Sequence, residues 1–376
     1  MATVLREWGR IGCLGFGGPP AHIAMLRQLC VRRRRWLDEE DFEHGVTATN
    51  LLPGPASTQL AIYCAWRLAG VRGALLGGLA FILPGLVAII ALAALFLGGP
   101  PAVVLGLAAG AGAVVAAVAV RAGGDLVPAS WSRAGDTAAR WRWAGYLVAG
   151  AVATILVGPW LVLVLLGAGA VELVVRLRPA GLATLVAPLA VVLGAGAGAA
   201  TLLSLAWTSL KVGALSYGGG FVIVPLMQAD AVAQHGWMSD GEFLNAVALG
   251  QATPGPVVQT VAVVGYAAAG LVGALLAAVI AFAPSFWFIT LGARRFESMR
   301  TDPRPRAFLG GAGPAAIGAI LGSAVPLALA LGEGWQWAVL AGGAVLLALR
   351  VGVVPVLLAA AAAGAVVAAA GGPLPL

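Results

Sequence analysis

Residues 74–97 read ALLGGLAFILPGLVAIIALAALFL, a run of 24 residues without a charged side chain. About 20 apolar residues in a helix span the hydrocarbon core of a bilayer, so this run is long enough to cross a membrane. Similar runs occupy residues 102–120, 182–203, 271–291 and 351–370. They predict an all-α polytopic membrane protein, because a transmembrane barrel would instead show ~10-residue segments of alternating polarity.

The composition supports this interpretation and disfavours several functions. Of the 376 residues, 61% are hydrophobic and 10% are charged, against about 45–50% and about 25% in soluble domains. The net charge of +7 comes from basic residues scattered between the apolar runs, which is typical of orienting loops, and we expect no nucleic-acid partner. Cys13, Cys30 and Cys64 form no CxxC pair, so we expect no metal site. We also expect no cofactor, and the lack of a GxxxxGK[ST] motif disfavours ATP-driven transport.

The chain contains an internal duplication. Shifting the sequence by 201 positions aligns residues 11–18 with residues 212–219. The same shift aligns Trp36 with Trp237, Phe42 with Phe243, and Pro53-Gly54-Pro55 with Pro254-Gly255-Pro256. Because tryptophan and the Pro-Gly-Pro triplet are rare, this register predicts two homologous membrane repeats, residues 1–195 and 196–376.

Charge predicts that the two repeats have opposite orientations. Residues 32–35 are four arginines, whereas the matching stretch of the second repeat carries acidic residues. The bias reverses one element later, where residues 98–101 are uncharged and residues 294–306 contain five arginines. Since arginine-rich loops stay in the cytoplasm, the halves form an inverted repeat. Residues 11–30 are either a full crossing or a re-entrant hairpin. We favour the hairpin, because it keeps the arginines inside.

The Gly/Pro motifs predict broken helices at the centre of the membrane. Neither Gly17-Gly18-Pro19-Pro20 nor Gly218-Gly219-Gly220 suits the middle of a lipid-facing helix. In secondary transporters, paired broken helices point unpaired N–H groups at an anionic substrate. The apolar runs contain no clearly embedded Asp or Glu, which also favours an anion. Residues 125–142 are interpreted as a cytoplasmic loop.

The predicted substrate-binding residues flank these breaks, and no catalytic residue is expected. Main-chain groups would come from Gly17, Gly18, Pro19, Pro53, Gly54, Gly218, Gly219, Gly220, Pro254 and Gly255, side-chain hydrogen bonds from Asn50, Ser57, Thr58, Gln251 and Thr253, and charge from Arg10 or Lys211. His22 either contacts the substrate or is a packed imidazole. For Arg10 and Lys211, the alternative to attracting the anion is that the charged group snorkels to the membrane interface.

Two ordered series of motifs resemble the chromate ion transporter family. The first half contains Phe16-Gly17-Gly18-Pro19, Ala21-His22-Ile23, Arg35-Trp36-Leu37 and Thr49-Asn50-Leu51-Leu52-Pro53-Gly54-Pro55 followed by Ser57-Thr58. The second half contains Lys211-Val212-Gly213, Tyr217-Gly218-Gly219-Gly220, Gly236-Trp237, Glu242-Phe243 and Gln251-Ala252-Thr253-Pro254-Gly255-Pro256. The resemblance implies a multi-pass exporter of chromate, a sulfate-like oxyanion, in the bacterial cytoplasmic membrane, with two homologous halves of opposed orientation.

Several alternatives stay open at this point. They are a transporter of sulfate or another oxyanion and a passive anion channel. A membrane-embedded enzyme is disfavoured by the scattered histidines and the scarcity of acids in the apolar runs. The coupling ion and the formation of a homodimer are also open, and the partners we expect are a small oxyanion and membrane lipid.

Overall fold

The computed structural model describes residues 1–52, 54–177, 200–216, 221–292 and 302–375. Helices form most of this part of the chain, and no strand occurs within it. In the first half the helices are α1 (Ala2–Leu14), α2 (Gly18–Arg27, continued by the π-helical segment Gln28–Arg33), α3 (Glu39–Leu51), α4 (Ala56–Leu97), α5 (Ala102–Ala113), α6 (Val115–Ser132), α7 (Thr137–Leu156) and α8 (Leu161–Leu177). In the second half they are α9 (Ala200–Leu215), α10 (Ile223–Gln228, continued by the π-helical segment Ala229–Gln234), α11 (Asp240–Ala252), α12 (Val261–Gly292, preceded by the 3-10 turn Val257–Thr260), α13 (Pro303–Leu329), α14 (Gly334–Ala348) and α15 (Val353–Ala369).

The long apolar helices confirm the predicted fold class. Within the described residues, four segments are long and apolar enough to cross a membrane: Ala56–Leu97, Ala102–Ser132, Val257–Gly292 and Pro303–Leu329. The chain is therefore a multi-pass, all-α membrane protein. The predicted boundary between the repeats, at residues 195 and 196, lies outside the described residues.

Each of the two longest helical segments is folded back on itself. Within α4, Ala69 and Gly70 leave the helical conformation, and Gly70 has a φ of +57°. Gly78 consequently packs against Ile62, although sixteen positions would separate them by about 24 Å in a straight helix. The first limb of α4 is thus residues 56–68, and its second limb is residues 71–97.

The second repeat contains the same turn. Ala269 and Gly270 have almost the same backbone angles as their counterparts, and Gly270 has a φ of +59°. Gly265 and Gly273 pack against each other across the turn. The first limb of α12 is residues 261–268 and the second limb is residues 271–292, so a glycine with positive φ reverses the chain in both halves.

The helices of the two halves pair into four hairpins, and Gly/Pro motifs form the tips of the first, second and fourth. Hairpin 1 is α1 and α2, hairpin 2 is α3 and the first limb of α4, hairpin 3 is α9 and α10, and hairpin 4 is α11 and the first limb of α12. Contacts between their paired arms are Glu7–Arg34 in hairpin 1, Asp41–Arg67 in hairpin 2, Lys211–Asp230 in hairpin 3 and Gly250–Thr260 in hairpin 4. An arm of 13 residues, such as α3, is about 20 Å long. It is shorter than the ~30 Å hydrocarbon core, as expected for the re-entrant arrangement that we favoured.

The two halves repeat each other in detail. Their π-helical segments, Gln28–Arg33 and Ala229–Gln234, lie 201 positions apart, the same shift that aligns the sequences. Gly12 packs on the backbone of Phe81, and its counterpart Gly213 packs on the backbone of Ala281. In each half the first helix therefore lies directly against the second limb of the long helix.

One sequence interpretation is wrong. Residues 125–142, predicted as a loop, belong mostly to α6 and α7, and only a short turn separates the two helices. The side chain of Asp136 caps α7 by accepting a hydrogen bond from the Ala139 amide at 2.8 Å. Two tryptophans and several charges made this stretch look interfacial, but a helix end exposes the same residue types.

Candidate functional site

The tips of hairpins from different halves meet inside the protein. The Gly255 amide, in the tip of hairpin 4, donates a hydrogen bond to the Gly15 carbonyl in the tip of hairpin 1, at 3.0 Å. Gly255 has a φ of +99°, a conformation that glycine adopts without the steric cost of a Cβ. The predicted breaks of the two halves are therefore in direct contact.

His22 reinforces this junction from within hairpin 1. The imidazole is fully buried; its Nε2 lies 2.9 Å from the Gly15 carbonyl, and its Nδ1 lies 3.3 Å from Ser57 Oγ. Because a carbonyl only accepts, these partners assign the proton to Nε2 and make Nδ1 the acceptor for the Ser57 hydroxyl. Of the two alternatives for His22, the geometry supports the packed imidazole.

A cavity of about 670 Å³ opens where the tips converge. Five of the predicted residues line it: Gly17, Gly18, Pro19, Asn50 and Gln251. The other walls come from α6, from the start of α10 and from the turn before α15. This is within the roughly 300–1,000 Å³ range of small-molecule sites.

Asn50 and Gln251 occupy equivalent positions of the two repeats, 201 residues apart, and both face this cavity. Each is the penultimate residue of a helix that ends just before a Pro-Gly-Pro tip. Within the described residues, the buried Nε2 of Gln251 has no hydrogen-bond partner. A buried amide donor without a partner is costly, so this group is suited to binding an anionic oxygen from the cavity.

A smaller cavity of about 180 Å³ lies on the other side of Asn50. Ala56 and Leu126 line both cavities, so these residues and Asn50 form the wall between them. The smaller cavity is lined by the predicted residue Gly54 and by Arg133, which directly follows α6.

Sequence reasoning missed the charged residues of α6. Arg121 lines the large cavity, donates from Nε to both oxygens of Asp125 at 3.0 and 2.8 Å, and donates from Nη1 to the Leu347 carbonyl at 2.7 Å. Arg133 caps the C-terminal end of the same helix, twelve positions or about 18 Å from Arg121. The available signal was an arginine and an aspartate four residues apart at the end of an apolar run.

Other predicted residues lie behind the cavity wall. Thr253 Oγ1 donates to the Leu249 carbonyl at 2.9 Å and accepts from Gln259 Nε2 at 2.9 Å, while the Pro254 carbonyl accepts from Gln259 at 2.8 Å. Thr58 is fully buried, and its hydroxyl has no partner within the described residues. These groups shape the tips of hairpins 2 and 4. Pro53, Gly218, Gly219 and Gly220 lie outside the described residues.

The two predicted cations do not line either central cavity. Arg10 is exposed and lines a separate pocket beside the π-helical segment of the first half. Lys211 is buried, and its Nζ lies 2.5 Å from Asp230 Oδ2. Thr208 also donates to Oδ2, at 2.8 Å. The conformation described here thus gives Lys211 a carboxylate partner inside the protein.

The structure buries three acidic side chains that sequence reasoning did not place inside the protein. Asp230, Glu7 and Glu172 are all buried, with at most 3% of each residue exposed. Glu172 pairs with Arg142 at 2.8 Å and with Arg176 at 2.6 Å, and it accepts a hydrogen bond from Tyr146 at 3.0 Å. Each acid thus has a basic partner, as the cost of burying a lone charge requires. In the ranges that the structure describes, no group of three His, Cys, Asp or Glu side chains is placed to hold a metal ion.

Comparison with known proteins identifies relatives over most of the chain. The family profile described as "Chromate transporter" matches residues 2–173 and 203–367, one match in each half. A "Chromate transport protein" of Cupriavidus metallidurans is 34% identical, and the alignment covers 85% of this chain and 80% of that protein. A "Probable chromate transport protein" of Synechococcus elongatus is 33% identical over 85% of this chain and 82% of its own length. A "Chromate transport protein" of Pseudomonas aeruginosa is 32% identical over 86% and 80%, respectively. No solved structure matches.

Proposed function

Since the chain belongs to the chromate transporter family, we propose that it is a secondary active transporter that exports chromate across the bacterial cytoplasmic membrane. The family membership confirms the resemblance found in the sequence motifs, and a transporter family points to a protein that is not an enzyme. Export, its coupling and the resulting chromate resistance are the proposal.

The binding site of the proposed transporter is the large cavity between the hairpin tips. The observation that supports it best is the equivalent pair Asn50 and Gln251, one from each repeat, facing one space. Their amide groups donate hydrogen bonds to the oxyanion, and the Gly17–Gly18 backbone lies beside them. Arg121 lines the same space and pairs with Asp125, which lines it too; the remaining N–H groups of Arg121 add a charged donor for the oxyanion.

Alternating access explains the two cavities in this proposal. The halves face opposite sides of the membrane, and their tips separate an outer from an inner compartment. The wall formed by Asn50, Ala56 and Leu126 lies between the two cavities. Moving one set of hairpins against the other transfers the anion past this wall, in the way that inverted repeats work around a central site.

The membrane potential is a sufficient driving force for export in principle. A cell interior that is negative by 100 mV favours the exit of each negative charge by about 2.3 kcal/mol. A chromate dianion therefore gains about twice this free energy for each 100 mV, with no requirement for ATP. Exchange of chromate for protons that enter the cell would add to this driving force for export.

Chromate uptake into inside-out vesicles tests the site. We expect Asn50→Ala and Gln251→Ala each to raise the KM for chromate about tenfold or more, because a hydrogen bond to a charged group contributes about 1.5–3 kcal/mol. Gln234→Ala is the matched control, since Gln234 is exposed and lines neither central cavity. An unchanged KM in both site variants would remove this cavity from the transport path.

The same vesicles separate the alternative functions. Excess sulfate can be added as a competitor of chromate uptake. An inhibition constant for sulfate below the KM for chromate would identify sulfate as the better substrate. A flux that rises linearly with chromate concentration would identify a passive channel. Setting the potential and the pH gradient separately identifies the coupling ion.

A further inference from the structure

A separate pocket, distinct from the two central cavities, lies on the outer face of hairpin 1. Its volume is about 540 Å³. Four arginines line it, namely Arg10, Arg27, Arg32 and Arg33, together with a single acid, Glu7. The proposed transport site contributes none of these residues, so the pocket requires a separate explanation.

Two of these arginines have a carboxylate partner within the protein. Arg33 donates to Glu7 at 3.1 Å, and Arg27 pairs with Glu39 at 3.1 Å and also with Glu43. By contrast, Arg10 and Arg32 have no carboxylate partner among the described residues, and both are exposed. The pocket therefore holds at least two uncompensated positive charges, because Arg33 shares Glu7 with Arg34.

The polarity of the pocket changes along the hairpin. Arg32 lies at the base of hairpin 1, whereas Leu14 and Met25 line the pocket closer to the tip. Leu14 follows Arg10 by one helical turn and is 54% exposed, on a helix face that no described element covers. A ligand that fits this gradient has an anionic group at one end and an apolar chain at the other.

We propose that this pocket binds an anionic phospholipid, with its phosphate between Arg10 and Arg32 and an acyl chain against Leu14 and Met25. The base of the hairpin carries residues 32–35, which the charge rule assigns to the cytoplasmic side. Anionic lipids give that surface its negative potential. Each basic side chain near the surface raises the affinity for anionic lipid by about tenfold or less. The proposal does not depend on which anion the central cavity carries.

The second repeat provides an internal comparison. At the positions equivalent to Arg10, Arg27, Arg32 and Arg33 it has Lys211, Gln228, Ala233 and Gln234. The one cation that remains, Lys211, is neutralised by Asp230. Within the described residues, the second repeat therefore has no equivalent of this lipid site.

Native mass spectrometry of the purified full chain tests the proposal with phosphatidylglycerol and phosphatidylcholine as probes. We expect retention of phosphatidylglycerol over phosphatidylcholine, and an about 30-fold loss of that preference in the double variant Arg10→Gln/Arg32→Gln. The control Arg35→Gln/Arg350→Gln removes the same charge from two exposed arginines outside the pocket and should keep the preference.

A pocket-filling variant keeps the test decisive if the double variant does not fold. Ala24 lines the pocket and is exposed, so Ala24→Trp should block lipid retention without changing any charge. Equal retention of the two lipids by the wild-type protein would overturn the proposal, as would unchanged retention in Ala24→Trp. Displacement of phosphatidylglycerol by millimolar inorganic phosphate would also overturn it, because the pocket would then collect free oxyanions.

Discussion

The ion pair between Lys211 and Asp230 gives the sharpest prediction about the stability of the second repeat. The two charges are 2.5 Å apart, and only 7% and 1% of their side chains are exposed. Substituting Lys211 by Met leaves the carboxylate with one hydroxyl donor, Thr208. Its Oδ1 already has no hydrogen-bond partner within the described residues.

The expected magnitude follows from the desolvation of the remaining charge. Removing one partner of a buried pair costs about 3–5 kcal/mol, whereas replacing both with apolar residues of similar volume is often neutral or stabilising. We therefore expect Lys211→Met to lower the free energy of unfolding by about 3 kcal/mol or more. The double variant Lys211→Met/Asp230→Leu should lie within about 1 kcal/mol of the wild-type protein.

A double-mutant cycle, measured by denaturant titration in detergent micelles, isolates the coupling between the two residues. A double variant whose loss equals the sum of the single losses would refute the reasoning. Transport by the double variant then decides the role of Lys211. If the double variant recovers both stability and chromate export, Lys211 serves only to pair with Asp230. If it recovers stability without export, the result favours the prediction from the sequence that Lys211 attracts the anion.

Three further predictions address the site and the topology. Arg121→Gln should raise the KM for chromate about tenfold in vesicle uptake, with partial rescue by Arg121→Lys, because a charged donor at the cavity is lost; an unchanged KM would show that this arginine is structural. Gly255→Ala should lower stability by about 1–2 kcal/mol, since alanine is strained at a φ of +99°, and it should weaken the bond to Gly15; thermal unfolding equal to that of the wild-type protein would contradict this. Cysteines introduced at Gly98 and Arg300 should react from opposite sides of the membrane, and labelling of both from the same side would rule out the inverted arrangement.

The sequence predicted the broken helices well, because their signals are local. Proline and glycine at the tips cannot continue a helix, and two rare triplets in register locate the tips of hairpins 2 and 4. The reversals at Ala69–Gly70 and Ala269–Gly270 were not predicted. An Ala-Gly pair inside an apolar run looks the same whether the helix continues or folds back, and the packing of residues such as Gly78 on Ile62 decides the outcome.

The candidate site was predicted only in part, because burial and pairing depend on distant residues. Asn50 and Gln251 were found because they flank repeated motifs. Asp230 lies among polar residues in the sequence, and only the fold shows that it is buried against Lys211. Arg121 belongs to a helix outside the repeated motifs, so its position beside the tips follows from tertiary packing alone.

The hydrogen bond from Gly255 to Gly15 bears on the resting state of the proposed cycle. It connects the two halves directly, so that any relative motion of the tips must first break it. A bond of this type contributes about 0.5–1.5 kcal/mol net, which corresponds to an equilibrium bias of roughly two- to tenfold. A latch of this strength favours the conformation described here in an idle protein without locking it.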